Sequence, residues 1–303
     1  MTTDVVMTRN EKLLEEYLLY LRETKKSSNN TLQAYERDLN KFLDFLKSSR
    51  IDDLTTISSA VIEDYKNAMT NGGFSPATVS RCLSAIRSMF QYLIMNDVVD
   101  SNPAREIHNE KFEKKAPQIL TNKEIEILLS QPSSTDVKGI RDRAMLELLY
   151  ATGIKVTELI SLDIDDVNLQ LAFIHCVKGE KERIISLYPL AVRAISNYLE
   201  SSRKLLVAKP DEKALFVNVS GERMTRQGFW KILKTYAESA KIYKEITPHT
   251  LRHSFAAHLL ENGADIHDIQ EILGHADISS TQRYAQFLKN KAKNSYIKFH
   301  PRA

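Results

Sequence analysis

Near the C-terminus, the stretch LGHADISSTQRYAQF (273–287) sets an imidazole, a guanidinium and a phenol close together: His275 behind Gly274, then Arg283 beside Tyr284. Upstream, His249 and Arg252 stand three apart, which on a helix sends both side chains off one face. Such a pair suits a single anion. The guanidinium fork matches phosphate, and the imidazole offers a nitrogen that titrates near neutral pH. Taken alone, H-x-x-R describes a surface pair equally well, and a tyrosine in a helix is ordinarily a core residue. His253 and His258 read as structural.

Metal binding is the competing chemistry for these histidines. His249 and His253 have the spacing of a helical zinc pair, but Thr250, Leu251 and Arg252 stand between them, without the glutamate of H-E-x-x-H. A guanidinium between two ligands also opposes a cation. There is no glycine-rich phosphate loop and no G-x-S-x-G nucleophile turn. Cys82 and Cys176, the only cysteines, are too few and too far apart for a disulfide framework or a thiolate zinc site and read as small core residues. Neither a metal nor a cofactor is expected.

The elements that must position these groups are mostly helical. A chain of 303 residues, 43% hydrophobic and 27% charged, is long enough for two domains with separate cores. It has no apolar run of bilayer length, so no membrane partner is expected. Its start, MTTDVVMTRNEK, lacks the apolar segment of a signal peptide, which makes the cytoplasm the expected compartment. Net charge is only +3, so its distribution matters more. Residues 1–110 hold 13 Lys and Arg against 16 Asp and Glu, and residues 111–303 hold 29 against 23.

Residues 1–100 show four stretches of helical periodicity. Leu13, Leu14, Tyr17, Leu18 and Leu21 form one stripe, and Leu32, Tyr35, Leu39, Phe42 and Leu46 another. A third helix covers Val61 to Met69, and a fourth opens at Ser75-Pro76 and buries Val79, Leu83, Ile86, Phe90 and Leu93. The opposite side of the fourth carries Arg81, Ser84, Arg87, Ser88 and Gln91, with no acidic residue on that helix until Asp97. That face suits DNA, arginines on phosphates and Gln91 on a base edge. A short polar stripe is also an ordinary solvated face, and on the stripe alone that plainer reading is preferred.

Residues 101–118, with two prolines and mixed charge, read as a linker. From 119 onward a capping box at Thr121 to Glu124 starts a helix, RDRAMLELLYATG (141–153) gives another, and KVTELISL continues as the next. Runs 172–177 and 183–188 are β-rich and flank a basic five-residue connection, 178–182, as in a hairpin. Helical patterns return at 190–204, at 224–240 where Thr225, Arg226 and Gln227 open a helix, from Pro248 to Gly263, and in DIHDIQEIL up to Gly274.

Taken in order, YATGIKVTEL (150–159), VKGEKER (177–183), MTRQGFW (224–230), PHTLRHSFAAHLL (248–260), LGHADISSTQRY (273–284) and the terminal HPRA resemble the tyrosine recombinases of the phage integrase family, Xer type. The resemblance covers essentially the whole chain. It implies a mainly α fold with a small β-sheet or hairpin. An N-terminal four-helix, SAM-like, core-binding domain (1–100) would precede an α+β catalytic domain (119–303) that ends in a docking tail. In this family Tyr284 would be the nucleophile that leaves a 3′-phosphotyrosine and a free 5′-hydroxyl. His249 would accept or orient the phenolic proton, Arg252 and His275 would bond the phosphate, and Lys178 would protonate the departing 5′-oxygen. Lys181, between Glu180 and Glu182, is the weaker candidate for that last role. Arg81, Ser84, Arg87, Gln91, Thr225, Arg226 and Gln227 would contact DNA.

Lys155 departs from the pattern, because the family places arginine there. A lysine is a point charge where an arginine bonds two phosphate oxygens at once. The expectation is therefore DNA binding with slowed cleavage. Arg141 and Arg143 lie too far upstream to substitute. The resemblance further implies a double-stranded DNA recombination site as substrate and a homo- or heterotetramer working through a Holliday junction. A second Xer recombinase and an FtsK-type DNA translocase would be partners, at the nucleoid. The tail's Tyr296, Ile297 and Phe299, after the basic run Lys289 to Lys293, would dock on a neighbouring subunit. Three other readings stand beside this one: a type IB topoisomerase, a DNA-binding family member impaired in catalysis, and a helical protein unrelated to nucleic acid.

Overall fold

The computed structural model describes residues 7–108, 118–178 and 181–274, with Lys178 and Lys181 described by their backbone alone. The chain divides into two units, Met1–Lys114 and Lys115–Ala303.

In the first unit, Thr8 and Glu11 close a capping box on α1 (Arg9–Glu23), each bonding the other's backbone N–H. Ser28 caps α2 (Asn29–Ser48) and Ser75 caps α4 (Pro76–Met95), whose first residue is a proline that lacks the N–H a first turn cannot pair. Between them runs α3 (Ser59–Asn71). The periodic stripes meet in one core built on Tyr17, Phe42, Leu46, Ile62, Ile86 and Phe90, and Ala104 and Ile107 beyond α4 pack into it. Leu18 and Tyr35, placed in the stripes by spacing, lie at the core's edge and are only partly buried.

The polar side of α4 is occupied within the unit. Arg81 donates through Nε and Nη2 to Asp38 of α2, at 2.6 and 3.0 Å. The carboxylate is fully buried while the Arg81 side chain stays 42% exposed. The acid that the α4 stripe lacks thus comes from a neighbouring helix, which one helix's own sequence does not show. Arg87 donates to the carbonyls of Ala104 and Ile107, at 3.3 and 2.8 Å, holding the segment after α4 against it. Ser84 bonds back to the Ser80 carbonyl, and Gln91 is exposed.

The second unit is organised around α6 (Val137–Thr152), whose Met145, Leu146, Leu148 and Leu149 are fully buried. Preceding it, α5 (Asn122–Ser130) starts at the Thr121–Glu124 capping box. Gly153 ends α6 at φ +59°, and a Cβ there would lie 2.3 Å from the Phe255 ring, so both the left-handed turn and the close approach require glycine. The short α7 (Val156–Ser161) follows at once.

An antiparallel sheet then forms in the order β1 (Val167–Asn168), β2 (Phe173–Lys178), β3 (Lys181–Ser186). The hairpin is tighter than its composition indicated. The ladder continues to Lys178 opposite Lys181, so β3 begins within the expected 178–182 connection. Ladder bonds are made by backbone, so a run of charged residues does not by itself end them. The two-residue β1 carries no recognisable pattern of its own.

Beyond the sheet, α8 (Pro189–Asn197), a π-helical turn (Tyr198–Ser202) and α9 (Arg203–Leu206) run nearly continuously. Among the described residues the last three helices are α10 (Arg226–Ser239), α11 (Pro248–Glu261) and α12 (Ile266–Leu273). Cys82 and Cys176 are both buried and form no disulfide. Mostly helical, with one small sheet, the architecture is the mainly α class expected from the sequence.

Candidate active site

Helix α11 is not amphipathic, being buried at Thr250, Leu251, Arg252, Ser254–His258 and Leu260. Its polar residues therefore need partners. Ser254 donates to the Thr250 carbonyl and accepts the Leu120 N–H, and His258 Nδ1 lies 2.8 Å from the Tyr150 hydroxyl. His258 is structural, as its surroundings in sequence indicated. Arg252 is different. Only 3% exposed, it donates through Nη1 to the Gly153 carbonyl at 2.6 Å and through Nη2 to the Leu273 carbonyl at 2.7 Å. Those oxygens end α6 and α12, where helices leave carbonyls unsatisfied and carry partial negative charge. The surface pair that H-x-x-R also allows is excluded by this burial.

His249, on the first turn of α11, keeps an exposed face. Partial desolvation lowers its pKa below the ordinary histidine value, and the positive charges of Arg252, Arg226 and Lys155 lower it further. Its imidazole is neutral at pH 7, the form that accepts a proton. Three cations therefore act electrostatically on this one ring. Lys155 precedes α7 as its cap residue, and Arg226 opens α10 behind Thr225, whose hydroxyl accepts the Gly228 N–H at 3.0 Å. Thr225, Arg226 and Gln227 are all exposed there. His253 stacks near His249, with ring centroids 6.4 Å apart.

Beneath the cations lies a pair that residue spacing did not single out. Glu158 accepts the Lys155 N–H at 2.8 Å and takes Arg183 on both oxygens, at 3.2 and 2.9 Å. Burial opposes ionisation of Glu158, but the bonds from Arg183 and the Lys155 N–H outweigh it and hold the carboxyl below its ordinary pKa. The capping-box spacing from Lys155 to Glu158 was the signal available in the sequence.

Arg141 is buried against Asp142 and the Val217 carbonyl, and Arg143 reaches toward Glu147. Neither is placed to replace the residue at 155. His275, Tyr284, the tail and the side chains of Lys178 and Lys181 lie outside the described residues. Among the described residues, no group of three or more His, Cys, Asp and Glu could hold a metal ion, and no helix is long and apolar enough to cross a membrane.

Residues 118–291 match the model of the phage integrase family, and residues 14–96 match that of the phage integrase N-terminal SAM-like domain. The chain belongs to the phage integrase family. Within this family it is 44% identical to a tyrosine recombinase XerD of Staphylococcus epidermidis over 292 residues, covering 96% of this chain and 99% of that one. It is 45% identical to a XerD of Oceanobacillus iheyensis over 296 residues, covering 97% and 99%. It is therefore an Xer-type tyrosine recombinase, a DNA strand-exchange enzyme of site-specific recombination. In fold, this integrase-family chain resembles the XerH recombinase bound to a palindromic difH substrate in a post-cleavage complex, with TM-score 0.75 and 22% identity over 96% of this chain and 97% of that one.

Proposed function

We propose that this recombinase cleaves and rejoins double-stranded DNA with Tyr284 as nucleophile, served by His249, Arg252, His275, Lys178 and Lys155. The observation that carries the reading is Arg252, a buried guanidinium fixed by two helix ends beside a neutral imidazole and two further cations. Such a cluster is preorganised for the charge that builds on a phosphate in its pentacoordinate transition state.

The step balances without an added reagent. The Tyr284 oxygen bonds phosphorus, and its proton passes to His249, needed because a phenol of pKa about 10 is protonated at pH 7. The bond from phosphorus to the 5′-oxygen breaks, and Lys178 supplies that oxygen's proton. Arg252, His275 and Lys155 hold the nonbridging oxygens. A 5′-hydroxyl from the partner duplex then attacks the 3′-phosphotyrosine and regenerates the phenol, which makes strand exchange reversible.

At position 155 an ammonium lacks the paired donors of a guanidinium. Loss of one such donor costs about 2.7 to 4 kcal/mol, or roughly a hundred- to a thousandfold in rate. On nicked suicide DNA, Lys155→Arg is expected to form covalent complex faster by that factor. A variant no faster than the parent would contradict the attenuation.

A second reading, favoured by Lys155 alone, is a DNA-binding member of the family that no longer cleaves. Covalent trapping that disappears in Tyr284→Phe separates enzyme from binder. For DNA contact the proposed surfaces are Thr225, Arg226 and Gln227 at the start of α10, and Ser84, Gln91, Arg81 and Arg87 on α4. XerH in complex with its difH site supports DNA as the ligand of this fold. The proposed division is a DNA-binding domain at 1–100, a linker at 101–118 and a catalytic domain at 119–303. Its tail would dock on the next subunit of a homo- or heterotetramer acting through a Holliday junction. Chromosome dimer resolution at the nucleoid, with a second Xer recombinase and an FtsK-type translocase, fits the XerD likeness, and integration or excision of a mobile element uses the same chemistry.

A further inference from the structure

We propose that Arg183 is a positioning residue for DNA cleavage, one guanidinium that holds β3, the turn at Lys155 and the C-terminal end of α12 in a single arrangement. The inference rests on the proposed roles of Lys155 and Lys178.

Side chains alternate along β3 and onward: Glu182, Ile184 and Ser186 are exposed, while Ile185 and Leu187 are buried. Arg183 belongs to the inward row, opposite buried Cys176 on β2. Packing alone calls for an apolar residue there, because an ion at such a position must be fully bonded to offset its lost hydration. With its side chain only 13% exposed, Arg183 spends three of its nitrogens on partners from two other elements. Nη1 and Nη2 take the two oxygens of Glu158 on α7, and Nε donates to the Ile272 carbonyl of α12 at 3.0 Å.

Each partner adjoins a proposed site residue. The Glu158 oxygen that accepts Arg183 Nη2 also accepts the Lys155 N–H, so the turn presenting Lys155 is bonded to the same carboxylate. Ile272 precedes Leu273, whose carbonyl holds Arg252, so neighbouring carbonyls of one helix end fix two guanidiniums. Gly274 confirms the closeness of the fit: a Cβ there would lie 2.8 Å from Arg183 Nη1, and φ is +62°. β3 also pairs with β2 up to Lys178, so the strand carrying Lys178 is tied to the same anchor.

A planar fork fixes direction as well as distance, which a lysine at the same position does not. Arg183→Lys is therefore expected to keep the fold and the DNA affinity while loosening the site. Misplacement of about 1 Å costs on the order of a hundredfold in rate.

The test measures covalent complex formation on nicked suicide DNA, DNA affinity and thermal melting for the full chain and three variants: Arg183→Lys, Glu158→Gln, and the double. Expected is cleavage about a hundredfold slower at unchanged affinity, with the double variant no slower than the slower single one, as for residues acting as a unit. A folded Arg183→Lys that cleaves at the parent rate, or loses affinity and rate together, overturns the proposal. Should Arg183→Lys fail to fold, Glu158→Gln, which keeps an acceptor for the Lys155 N–H, decides by the same criteria. A parent chain giving no Tyr284-dependent adduct overturns the functional reading itself, and a normal parent with normal variants overturns only this inference.

Discussion

Arg81 in the N-terminal unit and Arg252 in the C-terminal unit both end on protein oxygens, but on oxygens of different kinds. Arg81 faces a fully buried carboxylate from half-open solvent, and the two charges cancel. Arg252 is buried on the carbonyls of Gly153 and Leu273, which orient it without neutralising it. Glu158 on α7 is bonded on both oxygens by Arg183. Carbonyl dipoles fix the direction of a guanidinium and do not themselves cancel its charge. A carboxylate does cancel that charge, so an internal ion pair of one unit stands against a proposed catalytic group of the other.

Arg252→Lys should break the contrast most severely. It keeps a charge but cannot span both carbonyls, and covalent complex formation should fall about a thousandfold, with DNA affinity much less affected. A loss of affinity as large as the loss of rate would make Arg252 a general DNA contact. Arg81→Ala should act on stability: denaturant unfolding should show about 3 kcal/mol lost from the N-terminal unit, near the low end for a broken buried pair because Arg81 is partly exposed. Cleavage by the folded fraction, measured on DNA already bound, should not change. If it slows as it does for Arg252→Lys, the proposed division of roles is wrong.

The smallest effect sharpens the electrostatics of the second unit. Partial desolvation together with Arg252, Arg226 and Lys155 depresses the His249 pKa, so in the DNA-free protein its imidazole signal should titrate below the ordinary histidine range by NMR. Because the neutral ring is favoured, protonation requires a lower pH than usual, and removing a cation should reverse part of the shift. Arg226→Ala is expected to move the midpoint upward. An unmoved midpoint would place Arg226 out of reach of the ring.

Much of the first unit was legible because amphipathic periodicity determines it. Val79, Leu83, Ile86, Phe90 and Leu93 were read as the buried face of α4, and all five are buried. The role of Arg81 was not legible, since its partner Asp38 is 43 residues away on another helix. In the second unit Lys155, His249 and Arg252 were marked by motif likeness, while the support of Arg252 was hidden. Carbonyl partners carry no side-chain signature, so nothing in the sequence shows that Arg252 ends on Gly153 and Leu273. Arg183 lies within a recognised motif, but its bonding depends on β3 lying against the end of α12, a long-range arrangement that local spacing does not encode. The ladder's extension to Lys178 and Lys181 escaped for a related reason, because strand ends follow backbone pairing rather than composition.

The most direct measurement is peptide mapping of the adduct formed on nicked suicide DNA, using the parent chain and Lys155→Arg. After nuclease and protease digestion, a nucleotide remnant is expected on Tyr284 in both, reached sooner by the arginine variant. A remnant on another residue, or no adduct even with arginine restored at 155, would contradict it.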